Sequence, residues 1–379
     1  MTDNLIAQPN RRARNRIGRR SAFGVAALAV ALTAAACGSS SSTSSNTTTT
    51  QGSGTGAKTQ CATGTITGAG STFVNTILTQ WIKNYQQACS GSTINYQSVG
   101  SGAGVQQFTA GTVGFGASDV PFAASEQSAA NAKYPPAALQ LPWSAGPISI
   151  EYNLSGFNKT LNLSPNTLAS IYAGKVKTWN DPMITADNPG ASLPSTPIQV
   201  VYRSDGSGTT ASFTGYMTTV SGTIWTAGAS KTVNWPTGQG AKGSDGVTAV
   251  VKQTNGAIGY AELSYAKGGQ VSTASIKNAS GQFVQPSSAG ATAALANTTV
   301  APDGTAKINY LATGTTVYPI STLTWVLVPQ KPSSNGTLLK DFILYALGPG
   351  QQSANQLFYA PLPSSVAQQS QTIANSISG

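Results

Sequence analysis

From residue 60 onward the chain repeats one theme: a short β-rich run, a Gly/Ser-rich corner, then a helical stretch. Residues 65–67 read as a short strand. Residues 71–87 carry Phe73, Ile77, Leu78, Trp81, Ile82 and Tyr85 at helical spacing, the stripe of a helix that buries one face. Residues 94–99 are β-rich and end in a Gly-Ser cluster, residues 105–110 return to helix, and residues 113–117 form a short buried strand. Ser164-Pro165 opens a helix through Tyr172, with Ser at the N-cap and Pro at the first helical position, where its missing N–H has no partner to lose. A strand over 198–202 precedes a helix over 211–219, and a helix over 246–253 precedes a strand over 257–260. Strands alternating with helices predict an α/β protein with mostly parallel sheets. Residues 268–317 are rich in Gly, Ser and Thr with weak periodicity and are expected to be an irregular insertion.

Ahead of residue 59 the pattern changes. Arg11, Arg12, Arg14, Arg16, Arg19 and Arg20 precede an apolar, Ala-rich run over 22–36 that ends at Cys37. A basic segment, a short apolar segment and small residues before a cut site make a secretory signal peptide over 1–36. The run is too short for a comfortable transmembrane helix. Cys37 follows Ala34-Ala35-Ala36 and precedes Gly38-Ser39, which resembles a bacterial lipobox with Ala34 where Leu is usual. The expectation is a lipidated Cys37 that anchors the protein to the outer face of the cell membrane, with plain cleavage as the alternative. Arg19-Arg20-Ser21-Ala22-Phe23 loosely resembles a twin-arginine signal, and the export route stays open. Residues 37–58 then form a tether of Ser, Thr, Gly, Asn and Gln, with too little apolar surface to offset its ordering entropy.

This leader also distorts the charge. The whole chain carries +10, but residues 1–36 hold six Arg and Asp3, so 15 basic and 10 acidic residues remain after them. What is left is scattered Lys, which is a solvated surface and not a nucleic-acid footprint. The remaining cysteines, Cys61 and Cys89, read as one disulfide in an exported protein, with two separate buried thiols as the alternative.

The chain of 379 residues contains no His. That excludes Ser-His-Asp hydrolases, Cys-His proteases and His-ligated zinc. No Walker pattern occurs, and the Gly238–Gly243 stretch fits a dinucleotide pattern but follows Trp235-Pro236 instead of a strand. Neither metal nor cofactor is expected. Three clusters share one architecture: Gly68-Ala69-Gly70-Ser71-Thr72-Phe73, Gly100-Ser101-Gly102-Ala103-Gly104, and Asp205-Gly206-Ser207-Gly208-Thr209-Thr210. Each ends a β-like run and opens a helical one. A helix N-terminus offers free N–H groups and a positive dipole end, Gly lets an anion approach the backbone, and hydroxyls add donors. Together they point to a small oxyanion held by neutral dipoles.

After the leader a single Arg remains, Arg203, two residues before Asp205. A guanidinium is the bidentate partner an oxyanion needs, and Asp205 can hold its orientation. Asp119 ends a buried strand, where a carboxylate is costly unless partnered. It can accept the proton that phosphate keeps at neutral pH and repel sulfate, which keeps none. A receptor for another oxyanion such as sulfate, and a phosphoester hydrolase using Ser207 or Ser101, are the competing readings. The second lacks a base and metal ligands.

At these residues the chain closely resembles the phosphate-binding proteins of bacterial ABC importers, the PstS family. The matching stretches are TGAGSTF (67–73), NYQSVGSGAGVQQFTAGTVGFGASDVPF (95–122), YAGKVKTWNDPMI (172–184), RSDGSGTTASFTGYM (203–217) and GSDGVTAVVKQTNGAIGY (243–260), with YPISTLTWVLV (318–328) looser. The resemblance implies a two-lobed periplasmic binding protein of the type II-like class, each lobe a mixed, mostly parallel sheet flanked by helices. Lobe 1 would comprise 59–146 and a return segment over 319–379, lobe 2 would comprise 147–318, and the ligand would lie in the cleft. Phosphate-binding roles carry over to Thr72, Phe73, Ser101 and Asp119 in the first lobe. In the second they carry over to Arg203, Ser207, Gly208 and Thr209, with Asp205 bracing Arg203. Gly114 stands where many members carry Asp, so acidity around the cleft differs. The implied protein is a monomer that performs no chemistry, binds inorganic phosphate, and passes it to the importer's membrane subunits.

Overall fold

The computed structural model describes residues 59–379. The signal peptide, Cys37 and the tether lie outside the described residues. Along the first part of the chain come β1 (Gly64–Gly70), α1 (Asn75–Ala88), β2 (Ser92–Ser98), α2 (Ser101–Ala110), β3 (Phe115–Ser118) and α3 (Ala124–Lys133). β1 lies between β2 and β3 and is parallel to both, as βαβ crossovers require. Helix α1 buries Ile77, Leu78, Trp81 and Tyr85, the stripe that the periodicity predicts. It starts at Asn75 and not at residue 71. The Ser71 N–H still donates to Ala117 O at 2.9 Å, so the chain remains tied to β3 and then needs a turn, closed by Asn75 N–H to Thr72 O at 3.3 Å, before it can coil. Cys61 and Cys89 form a disulfide with Cα atoms 5.1 Å apart, fixing the entry of the described chain to the end of α1. A closed loop of this length contributes about 3.6 kcal/mol in the chain-entropy account.

The chain continues through β4 (Ala138–Tyr152), β5 (Asn162–Leu163), α4 (Pro165–Tyr172), α5 (Pro182–Asp187), β6 (Gln199–Arg203), α6 (Gly208–Ser221), β7 (Gln239–Ala241), α7 (Gly243–Gln253), β8 (Ala257–Glu262) and α8 (Leu263–Gly269). Helix α4 starts as expected: the Ser164 hydroxyl caps it by accepting from Thr167 N–H, with Pro165 at the first position. Next are β9 (Ser272–Thr273), β10 (Ser275–Lys277), β11 (Phe283–Val284), α9 (Ser288–Leu295), β12 (Ser321–Pro329), α10 (Gly336–Leu347) and α11 (Ser364–Asn375). Residues 268–317 are therefore not irregular throughout. β10 pairs with β11 and β5 in a separate small sheet, and Ala274, Ile276, Ala291 and Leu295 are buried. Helix α9 packs mainly through small Ala side chains, which give a hydrophobic-periodicity reading little amplitude.

The main sheet runs β2-β1-β3-β12-β4-β8-β6-β7. Its ends are parallel ladders and its middle is antiparallel. β4 does two jobs. Its residues 138–147 pair with β12, and residues 148–152 pair with β8. The partner changes between Pro147 and Ile148, so one continuous strand serves both halves of the sheet. Buried aromatics fill the larger core, including Trp81, Trp143, Trp179, Trp225 and Trp325. A smaller cluster of Val201, Ala241, Val247, Val251 and Ala257 seats α7 on β6–β8.

Candidate functional site

The parallel strands deliver their carboxyl ends to one place, where open α/β sheets hold their ligands. β1 ends into Ser71 and Thr72, β2 into Ser101 at the start of α2, and β3 into Asp119. From the other half, β6 ends at Arg203 and leads to Ser207 at the N-cap of α6, while β7 leads to α7.

Asp119 is 1% exposed. The Ser71 hydroxyl donates to its Oδ1, as does Thr324 at 3.1 Å, and Thr209 donates to Oδ2 at 3.0 Å. Thr209 sits in the first turn of α6, so that bond crosses between the two halves of the sheet. The Ser101 hydroxyl lies 3.5 Å from Oδ2 and accepts the Asp119 backbone N–H at 3.3 Å. Burial pushes the Asp119 carboxyl above the usual carboxylate range, against the lowering pull of these hydroxyls and of Arg203.

Arg203 is 4% exposed. Its Nε donates to Asp205 Oδ1 at 2.8 Å and its Nη2 to Oδ2 at 2.5 Å, a fork that fixes the guanidinium plane. Burial alone would lower the Arg203 pKa; the bonds and charge of Asp205 more than reverse this, so the cation is held charged. Burial likewise pushes Asp205 up, but Arg203 and the Gly243 N–H at 3.0 Å outweigh it and its carboxyl lies below the usual range.

Ser207 caps α6 by accepting from Thr210 N–H at 3.1 Å, which leaves its own proton free to donate. Gly208 has no room for a side chain: a Cβ would lie 2.6 Å from both Asp119 N and Ser101 Oγ. The backbone of α6 thus meets the first half of the site at closest approach, as glycine alone permits. Thr72 is buried, its Oγ1 2.8 Å from Ser244 Oγ, and its carbonyl accepts from Tyr265 at 2.6 Å. The Phe73 ring is fully buried against Tyr359, edge to face at 5.9 Å, so this residue can face the site through its backbone alone.

The side chains of Thr72, Ser101, Asp119, Arg203, Asp205, Ser207 and Thr209, with the backbone of Gly208, are therefore brought together. Sequence reasoning missed Ser71, Ser244 and Thr324. Ser244 carried a readable signal, since Gly243-Ser244-Asp245-Gly246 is a fourth Gly/Ser corner opening a helix, and Gly243 has a left-handed φ of +72°. Thr324 had none: it lies mid-strand in β12, and only the antiparallel ladder beside β3 brings it to Asp119. Among the described residues no group of three His, Cys, Asp or Glu side chains could hold a metal ion. Chemically, the site offers one fixed cation, hydroxyl and amide donors, and a single buried acceptor.

Residues 43–349 match the model of the PBP superfamily domain. The phosphate-binding protein PstS of Pasteurella multocida is 42% identical over 81% of this chain and 89% of its own. PstS of Xylella fastidiosa (strain Temecula1) is 39% identical over 80% and 83%. The chain belongs to the PstS family of phosphate-binding proteins. Among solved structures, a high-affinity periplasmic phosphate-binding protein bound with phosphate superposes with a TM-score of 0.67 at 23% identity, covering 82% of this chain and 93% of its own. That likeness carries the two-lobed fold.

Proposed function

We propose that this protein is an extracytoplasmic solute receptor that binds inorganic phosphate between its lobes and delivers it to an ABC importer, making and breaking no bond. The observation that carries this reading is Asp119: a buried acceptor, surrounded by hydroxyl donors from both lobes, in a cleft whose other face presents Arg203. A fully deprotonated oxyanion meets repulsion there, whereas an anion with one O–H gains a charge-assisted bond. Thr72, the Phe73 backbone, Ser101 and Asp119 contact the ligand from lobe 1. Arg203, Ser207, Gly208 and Thr209 do so from lobe 2, with Asp205 orienting the guanidinium. Membership of the PstS family supports both the ligand and the importer.

The lobe boundaries near 146/147 and 318/319 are supported by the change of β4 partner between Pro147 and Ile148 and by the start of β12 at Ser321. Export and lipidation at Cys37 rest on the leader's sequence, and the mass of the mature N-terminal peptide tests them.

The deciding experiment is calorimetric titration of the phosphate-stripped protein with phosphate and then sulfate. One-to-one phosphate binding, micromolar or tighter at roughly −8 kcal/mol or beyond, with no sulfate response, is expected. Equal sulfate binding would make it a general oxyanion receptor. Binding of neither would remove the site assignment.

A further inference from the structure

Ser244 lies outside the ligand set above, yet it joins that set's two halves. It occupies the first turn of α7, is fully buried, and belongs to the second lobe. Arg203 Nη1 lies 3.3 Å from its Oγ, Thr72 Oγ1 lies 2.8 Å from its Oγ, and its backbone N–H reaches Thr72 Oγ1 at 3.3 Å.

Two directions in this chain are fixed by chemistry. A guanidinium cannot accept, so Arg203 donates to Ser244 Oγ, and an N–H can only donate, so Thr72 Oγ1 accepts from the Ser244 backbone. Between the two hydroxyls, 2.8 Å apart, either oxygen can be the donor. With Ser244 as donor, Thr72 Oγ1 accepts twice from Ser244, which fills its lone pairs and turns its own proton away from Ser244.

We propose that the Ser244 hydroxyl donates to Thr72 Oγ1, and that Ser244 is thereby a positioning residue that locks Thr72 as a hydrogen-bond donor toward the bound anion. The inference rests on the phosphate reading given above. Without the Ser244 hydroxyl, Thr72 could rotate and present a lone pair to the ligand; with it, that side of the site offers a donor only. An oxygen that carries no proton is then favoured opposite Thr72, and the ligand's single O–H is directed to Asp119. Ser244 thereby fixes how a protonated oxyanion is oriented, and it does so across the closed cleft, because Thr72 and Ser244 belong to different lobes.

The test is a double-mutant cycle on purified, phosphate-stripped protein, read by phosphate titration and by the ligand-free melting temperature. Ser244→Ala is expected to weaken phosphate binding about tenfold in the wild-type background, one hydrogen bond's worth. In a Thr72→Ala background the same change is expected to weaken it less than about twofold, with the ligand-free melting temperature unmoved. Ser244→Gly, which also lacks the hydroxyl, provides the same cycle if the Ala variant folds poorly. An equal loss in both backgrounds, or wild-type affinity in Ser244→Ala, would overturn the positioning role while leaving the phosphate reading intact. A wild-type protein that binds no phosphate overturns both.

Discussion

Two places in this molecule bury carboxylates, and they treat them in opposite ways. In the cleft, Asp119 has hydroxyl donors on both oxygens and Arg203 acting on it through space. Under the sheet, Glu151 on β4 and Glu262 at the end of β8 are also fully buried, but each keeps one oxygen without a partner, Glu151 Oε2 and Glu262 Oε1. Burial raises all three, and the donors decide how much is recovered. Glu151 receives one bond, from Thr248 at 3.0 Å, and is pushed up to about 8. Glu262 is raised well above its ordinary value by burial, despite bonds from Ser264, with Glu151 adding to the rise. The two frame acids thus each keep a bare oxygen, whereas Asp119 has donors on both of its own.

The largest effect that would break this contrast is at Asp119. Asp119→Asn removes the charged acceptor and is expected to weaken phosphate binding by about 3 kcal/mol while reducing discrimination against sulfate. Competition titrations read both, and unchanged affinities for the two anions would end the discrimination argument. Because Asp119 is raised, its neutral form becomes populated at higher pH than for an ordinary Asp. Lowering the pH should therefore erode phosphate-over-sulfate preference at a higher pH than an ordinary Asp would.

Arg203→Lys comes next, at about 1–3 kcal/mol of lost affinity, since an ammonium cannot keep the two bonds to Asp205 and also face the ligand. Full retention would make Arg203 a frame residue. Glu151 sharpens the other side. Its folded pKa of about 8 exceeds the unfolded value, so its contribution to stability is complete below about 4.5 and is lost as pH rises to about 8. Glu151→Gln should gain melting temperature relative to wild type at pH 8 and little at pH 5. A pH-independent difference would mean that the carboxyl titrates normally.

The smallest effect is expected at the rim. Lys231 Nζ meets Glu126 Oε1 at 2.6 Å, joining α3 to the loop after α6, and the Lys231 carbonyl accepts from Ser207 N–H at 2.9 Å. Both side chains are partly exposed, so Lys231→Ala should cost at most about 1 kcal/mol of affinity, and less at high salt. A larger, salt-independent loss would show that this rim pair governs closure.

Much of the architecture was legible because it repeats. Strand, Gly/Ser corner and helix recur, and each corner carries its own chemistry in consecutive residues; Asp205-Gly206-Ser207-Gly208-Thr209 needs no partner in space to be recognised. The long strand β4 escaped, because a strand buried along nearly its whole length has no alternation to read. Helix α9 escaped because its buried face is made of Ala and Gly.

By itself the sequence determined the local facts: the cysteine pair, the absence of His, and which corners end in free helix N–H groups. Those depend on residue type and on neighbours a few positions away. Only the tertiary structure decided which corners share a site. It took a change of partner along β4 to join the two halves of one sheet, and an antiparallel β12 to bring Thr324 to Asp119. It also took the meeting of α7 with the corner after β1 to place Ser244 on Thr72. Those contacts link residues far apart in the chain, and no local pattern encodes the register that makes them.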